Sequence, residues 1–243
     1  MDSYTATKTR LTTYFDRTAA QTWERLTSDA PVSRIRQTVR EGRDAMRAAM
    51  LARLPDDLRG ARVLDAGCGA GPMTEVLAQR GATVVAADIS PSLLDVARRR
   101  IAPALHSQIR FVAGDMLDPS YGTFDYVMAM DSLIHYRADD IGVALAGLGR
   151  RADKVVFTIA PKTTFLTIFW LAGKSFPRAD RSPMIIPHAD ETIARAVARA
   201  GLQADLVRVA RVSRGFYISQ AMELTRSAAT GLTRSAATGL TPC

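Results

Sequence analysis

The sequence predicts an α/β fold: a seven-stranded, mostly parallel sheet with helices on both faces, an N-terminal helical extension and an inserted segment near the end. Three observations predict it. Short apolar runs alternate with helix-like stretches from Arg62 to Ile159, the rhythm of βαβ units. The first run leads into Asp65-Ala66-Gly67-Cys68-Gly69-Ala70-Gly71 and then Pro72, a strand, a tight turn and a helix start. Acids stand where the strand candidates end, at Asp65, Asp88 and Asp131, with Asp115 just past the third. Ligands of open α/β sheets sit at that carboxyl edge.

Taken in order, residues 1–10 read as a frayed polar end. Tyr14 to Leu26 has helical spacing of Tyr14, Phe15, Ala19, Trp23 and Leu26. Ser33 to Leu54 is a longer helix with Ile35, Val39, Met46, Met50 and Leu54 on one face and arginines on the other. Residues 1–58 therefore form a helical extension able to cover a ligand, and 59–226 form the core. Strands are expected at Arg62–Asp65, Thr83–Asp88, Ile109–Val112, Phe124–Met130 and Lys154–Ile159, with helices at Met73–Gln79, Pro91–Arg100 and Asp139–Leu148. Ser90 caps the second of these helices and Pro91 suits its first position. A last helix, Asp190–Ala200, stops at Gly201, and Ala204–Val212 and Phe216–Leu224 read as antiparallel partners.

Residues 161–187 interrupt the rhythm. Thr163 to Ala172 is strongly apolar, and Lys174, Arg178 and Arg181 follow. Core packing, a wall for an apolar substrate, and a membrane-surface contact through Phe165, Phe169 and Trp170 are three open readings. At the end, LTRSAATG at 224–231 recurs at 232–239. Two copies are too few for a solenoid, and the small polar composition of 227–243 reads as a disordered tail, a sequencing scar being one origin.

The whole chain of 243 residues is 47% hydrophobic and carries a net charge of +8. The surplus favours an acidic partner, although the arginines are scattered and most read as solvated helix faces. The two cysteines, Cys68 and Cys243, imply no disulfide framework, which fits a reducing cytoplasm. No signal-peptide core precedes residue 10, and no run of about 18 apolar residues exists to span a bilayer. The histidines His106, His135 and His188 lack metal-ligand spacing. Neither an N/D-P-P-[YF] motif nor a basic-aromatic tract points to nucleic acid.

The turn narrows the chemistry. Dinucleotide sites use G-x-G-x-x-G with the pyrophosphate on the helix start. Here the spacing is G-x-G-x-G, with Asp65 two residues before the first glycine. A carboxylate beside the loop repels a pyrophosphate and suits the cationic amine of a methionine moiety. The pattern resembles the first motif of class I S-adenosylmethionine (SAM) methyltransferases, whose Rossmann-like sheet also has seven strands. Asp88, about twenty residues past the first glycine, suits the ribose hydroxyls, and Ile89 beside it can pack on the adenine. His135, following Asp131 in Met130-Asp131-Ser132-Leu133-Ile134-His135-Tyr136, lies at the edge where chemistry occurs, against the plainer reading of a structural histidine.

Several stretches together resemble one family: YFDRTAAQTWERL (14–26), VLDAGCGAG (63–71), Asp88-Ile89-Ser90, MDSLIHY (130–136), IAPKT (159–163) and RGFY (214–217). They are similar to the magnesium-protoporphyrin IX O-methyltransferases of chlorophyll and bacteriochlorophyll synthesis. The resemblance implies that SAM methylates a propionate carboxylate of Mg-protoporphyrin IX, leaving S-adenosylhomocysteine and a monomethyl ester. It implies a cofactor set of Asp65, Gly67, Cys68, Gly69, Gly71, Asp88, Ile89, Asp115, Met116 and Asp131, with Asp115 accepting from the adenine amine and Met116 against the ring. Oxygenic members tend to carry a tyrosine where this chain has Thr27, so His135 is the better single catalytic candidate, with Tyr14 and Tyr136 as neighbours. No protein-bound metal is implied. The porphyrin-binding subunit of magnesium chelatase and a peripheral contact with the photosynthetic membrane are the partners it raises. Rival readings are a non-catalytic SAM- and porphyrin-binding protein and a methyltransferase acting on another apolar acid.

Overall fold

The computed structural model describes residues 2–16, 34–163 and 183–227. In chain order its elements are α1 (Asp2–Tyr14), α2 (Arg34–Leu51), β1 (Arg62–Ala66), α3 (Pro72–Gln79), β2 (Thr83–Asp88), α4 (Pro91–Arg100), β3 (Ile109–Ala113), β4 (Phe124–Ala129), α5 (Ala138–Gly149), β5 (Ala152–Pro161), β6 (Pro187–His188), α6 (Asp190–Arg199), β7 (Ala204–Arg214) and β8 (Tyr217–Arg226).

The strands lie in the order β3-β2-β1-β4-β5-β8-β7. Neighbours from β3 to β5 are parallel, while β8 runs antiparallel to both β5 and β7. All seven expected strands are present. The two-residue β6 was not expected. It pairs with the end of β5, Ala160 opposite Pro187, and two residues are too few to show a period.

Burial explains why the strand runs are almost wholly apolar. Leu64, Val85, Val127 and Phe157 belong to one core, with Leu145 of α5 and Ile193 of α6. Their neighbours Val63, Val84, Met128 and Val156 belong to the other, with Met46 and Met50 of α2 and Leu77 of α3. Alternate side chains thus enter opposite cores, as a parallel sheet covered on both faces requires. The cap at α4 is the expected one: Ser90 Oγ accepts from Leu93 N at 3.3 Å, with Pro91 following.

The N-terminus is a correction. Residues 2–14 are not a frayed end but the helix α1. Its sequence is rich in threonine and intrinsically weak as a helix, so tertiary contacts hold it. Ser3 Oγ donates to Asp140 Oδ1 at 2.6 Å, and Leu11 is buried. Just past its end, Asp16 Oδ1 accepts from Ser92 Oγ at 2.6 Å. The expected continuation through Ala19, Trp23 and Leu26, the Thr27 position, the apolar insertion with Phe165, Phe169, Trp170, Lys174, Arg178 and Arg181, and the repeat tail from residue 228 lie outside the described residues.

The helices α5 and α6 meet backbone to backbone. A Cβ at Gly142 would come within 2.5 Å of the Ala196 carbonyl carbon and oxygen. Helix propensity alone favours alanine over glycine by about 1 kcal/mol, but forcing atoms into packed backbone typically costs about 1–3 kcal/mol. Gly142→Ala should therefore lower the melting temperature by a few degrees. A raised Tm in calorimetry would show that α6 can retreat freely.

Candidate active site

The strand order reverses between β1 and β4, and a crevice opens there at the carboxyl ends of the strands. The loop after β1 forms its floor. Gly67 N and Cys68 N both donate to Ala87 O, at 2.8 and 3.1 Å. Gly69 N donates to Asp88 Oδ2 at 2.8 Å, and Ser90 N donates to Asp88 Oδ1 at 2.8 Å. Gly67, Gly69 and Gly71 have φ of 84°, 55° and 85°, values that only glycine adopts at little cost. The three differ in purpose. A Cβ at Gly67 would meet Ser132 Cβ at 2.5 Å and one at Gly71 would meet Ile101 Cδ1 at 2.8 Å, whereas one at Gly69 would meet nothing within 4 Å.

The resulting cleft has a volume of about 830 Å³, counting the part open to solvent. Gly67, Cys68, Gly69, Asp88 and Ile89 line one end, with Asp115 and Met116 beyond them. Asp131, His135 and Tyr136 line the other side, and Tyr4, Leu11 and Phe15 form the roof. Burial raises the Asp88 pKa against the backbone donors that lower it. Ser132 Oγ, at the floor, is shut off from solvent and has no partner among the described residues.

Two expected cofactor residues stand back from the cleft. Asp65 is 1% exposed, and its Oδ2 accepts from Thr74 Oγ1 of α3 at 2.5 Å. It lies beneath the loop rather than beside it, because it points into the strand–helix junction. Gly71 is likewise in the packing, at the start of α3. Asp115 lines the cleft, but its carboxylate is engaged: Oδ1 accepts from Tyr4 Oη at 2.8 Å and from Leu117 N at 2.9 Å, and Oδ2 takes Lys8 Nζ at 2.7 Å. Asp131 has φ 56°, unusual for a residue with a Cβ. Its carboxylate turns toward α2 and β8, where Arg43 lies at 3.3 Å and Tyr217 Oη at 3.2 Å.

Of the catalytic candidates, His135 and Tyr136 line the cleft and Tyr14 does not; its ring meets Phe15 edge-on at 5.2 Å. The ring of Tyr136 stacks on that of Tyr4, centroids 4.9 Å apart, and burial carries both hydroxyls well above the ordinary tyrosine range. His135 Nδ1 is 3.2 Å from Met184 O, and burial lowers its pKa. Tyr4, Lys8, Leu11 and Arg43 were not expected at the site. Their spacing carries a signal: positions 4, 8, 11 and 15 share one helical face.

The residues fit a nucleoside-bearing cation. Asp88 sits at the ribose position of nucleotide-binding sheets, Gly69 leaves open space above it, and the unpartnered Ser132 Oγ waits at the floor. Among the described residues there is no group able to hold a metal ion, and no helix is long and apolar enough to cross a membrane.

Comparison with known proteins gives the class first. Residues 63–152 match the model described as "Methyltransferase domain", so the fold is that of the class I, SAM-dependent methyltransferases. Residues 129–226 match "Magnesium-protoporphyrin IX methyltransferase C-terminus". The chain is 57% identical to a magnesium-protoporphyrin O-methyltransferase of Rhodobacter capsulatus, over 90% of this chain and 97% of the relative. It is 30% identical to that of Synechocystis, over 90% and 96%. The crystal structure of the Synechocystis magnesium protoporphyrin IX methyltransferase with bound SAH superposes with a TM-score of 0.76, over 90% of this chain and all of that one, at 30% identity. The chain belongs to the magnesium-protoporphyrin IX methyltransferase family.

The buried Asp65 makes a pH prediction. Burial pushes its carboxyl up to about 7, opposed by the Thr74 hydrogen bond and reinforced by Asp88. The folded protein then holds this proton more tightly than the unfolded chain, whose aspartates titrate near 3.9. The stabilisation is fully present below that value and is lost as pH rises through about 7. Relative to Asp65→Asn, the native protein should lose stability between pH 5 and 8, by at most roughly 1.4 kcal/mol per pH unit. Denaturant titrations at intervals across that range check it; parallel curves for the two proteins would be the contrary result.

Proposed function

We propose that the protein transfers a methyl group from SAM to a propionate carboxylate of Mg-protoporphyrin IX, giving the monomethyl ester used in (bacterio)chlorophyll synthesis. One observation carries the reading: the identity to the Rhodobacter capsulatus enzyme runs through 97% of that protein, so it takes in the helical extension as well as the donor-binding core.

When bound, SAM supplies an electrophilic methyl on a sulfonium. The acceptor needs no strong base, since a propionic acid with a pKa of about 4.3, like that of Glu, is already ionised at neutral pH. Attack neutralises the carboxylate and the sulfonium together, so a cation clamped on the attacking oxygen would hinder it. The chain's contribution is placement and exclusion of water. Asp88 and the glycine loop hold the donor. Leu11, Phe15, Met116 and Met130 give the cleft an apolar wall. The charge of Arg43 in that wall is offset by Asp131. Hand-over from a chelatase subunit and contact with an anionic membrane surface, which the net charge of +8 would favour, belong to the same proposal.

Incubation with Mg-protoporphyrin IX and methyl-labelled SAM should yield labelled ester by chromatography; unlabelled porphyrin alone would reject the function. Asp88→Ala should raise the Kd for SAM tenfold or more, since hydrogen bonds to a charged group contribute about 1.5–3 kcal/mol. An unchanged Kd by calorimetry would remove Asp88 from the donor site.

A further inference from the structure

The reaction leaves one anionic group of the substrate unaccounted for. The product is a monomethyl ester, so a second propionate enters the cleft ionised and leaves it ionised. A cation held against the attacking oxygen would oppose transfer. One held against the spectator group would not, because that group carries the same charge in the ground state and the transition state. Lys8 and Arg43 do not meet the need, since they already face Asp115 at 2.7 Å and Asp131 at 3.3 Å.

Arg10 is placed differently. It belongs to α1, the helix that roofs the cleft. Leu11, the next residue, is 2% exposed and lines that roof. Phe15, just past the end of the helix, has its ring centroid 6.1 Å from that of His135. One residue turns a helix by about 100°, so Arg10 stands where the buried face gives way to solvent, and it is exposed. It is also close to the opposite wall: burial is the main cause that lowers the His135 pKa, and the positive charge of Arg10 adds to it. Among the described residues no carboxylate pairs with Arg10.

The propionates of the porphyrin sit on neighbouring pyrroles and project from one edge of the ring. When one reaches the donor methyl, the other lies beside it. We propose that Arg10, at the rim of the cleft, binds this spectator propionate. The proposal rests on the functional reading above. The planar guanidinium fork matches a carboxylate through paired N–H···O bonds, and no bond forms or breaks there. The contact lets the protein recognise the acidic edge of the ring while the attacking oxygen stays free.

The experiment is a fluorescence titration of the full chain, without SAM, using Mg-protoporphyrin IX, the monomethyl ester made from it by the native protein, and the dimethyl ester. The first two carry the spectator carboxylate and the third does not. Arg10→Ala should raise the Kd for the first two by the same factor, about two- to fivefold as for an exposed ion pair, and leave the third unchanged. Arg10→Lys should recover part of the loss, and the difference should shrink at high salt. In turnover the effect should fall on KM with kcat retained, and an unchanged SAM Kd verifies the fold of the variants. A loss confined to the diacid would put Arg10 on the reacting carboxylate and overturn the proposal. Equal loss of all three porphyrins, no loss of any, or a fall in kcat at unchanged KM would overturn it too, while the methyltransferase reading stands. If the native protein forms no ester from Mg-protoporphyrin IX, the functional reading fails and takes the proposal with it.

Discussion

One buried carboxylate holds the site together. Asp88, at the end of β2, is 8% exposed, and a buried charge is tolerated only where donors meet it. Here both oxygens do meet backbone N–H groups, Gly69 on one side and Ser90 on the other. Those two bonds bind the loop after β1 to the turn before α4. They hold the backbone where the strand order reverses, and with the Ala87 carbonyl they fix how far the loop can rise from the sheet. Glycine then serves two ends in one loop. At 67 and 71 it allows close packing against Ser132 and Ile101, and at 69 it leaves the space empty.

The other half of the cleft comes from outside the βαβ core. Helix α1 closes it by placing Tyr4 and Lys8 on Asp115, and α2 reaches it with Arg43. The approach of α2 is close because a Cβ at Gly42 would meet the Tyr217 ring at 2.6 Å. Tyr217 and Arg43 both engage Asp131, as does Thr158 Oγ1 at 3.2 Å. This set of partners stabilises a residue with φ 56° that would otherwise be strained. The turn so held brings Ser132 against the glycine loop and sends the chain on to His135.

How much of this the sequence revealed follows from the range of the forces involved. The seven strands were legible because burial on both faces leaves uninterrupted apolar runs, and the glycine loop because its backbone demands a rare residue at fixed spacing. Asp88, Ile89 and His135 could be placed at the cleft because a strand end carries its following residues to the carboxyl edge, whereas Met116 and Tyr136, which also line it, were pointed to by the family resemblance. Helix α1 was not, since its stability lies in contacts with residues more than a hundred positions away. Asp65 was placed one layer too far forward: sequence shows that an acid adjoins a loop but not which way it points, and Thr74 takes it inward. Arg43 looked like one more arginine on a solvated face until the packing of α2 set it in the wall.

The charges of the cleft then bear on how it can choose its substrate. Lys8 is paired with Asp115 and Arg43 with Asp131, and His135 is held toward its neutral form. At Asp88 backbone donors oppose the burial that raises its pKa. Among the described residues these cations stand in compensated pairs, which suits a reaction in which carboxylate and sulfonium charges vanish together. A salt bridge to the reacting oxygen of the propionate would stabilise the ground state over the transition state. Binding that leaves the reacting oxygen free falls more usefully on a part of the substrate that does not change during transfer, and the apolar wall of Leu11, Phe15, Met116 and Met130 suits a flat apolar ring.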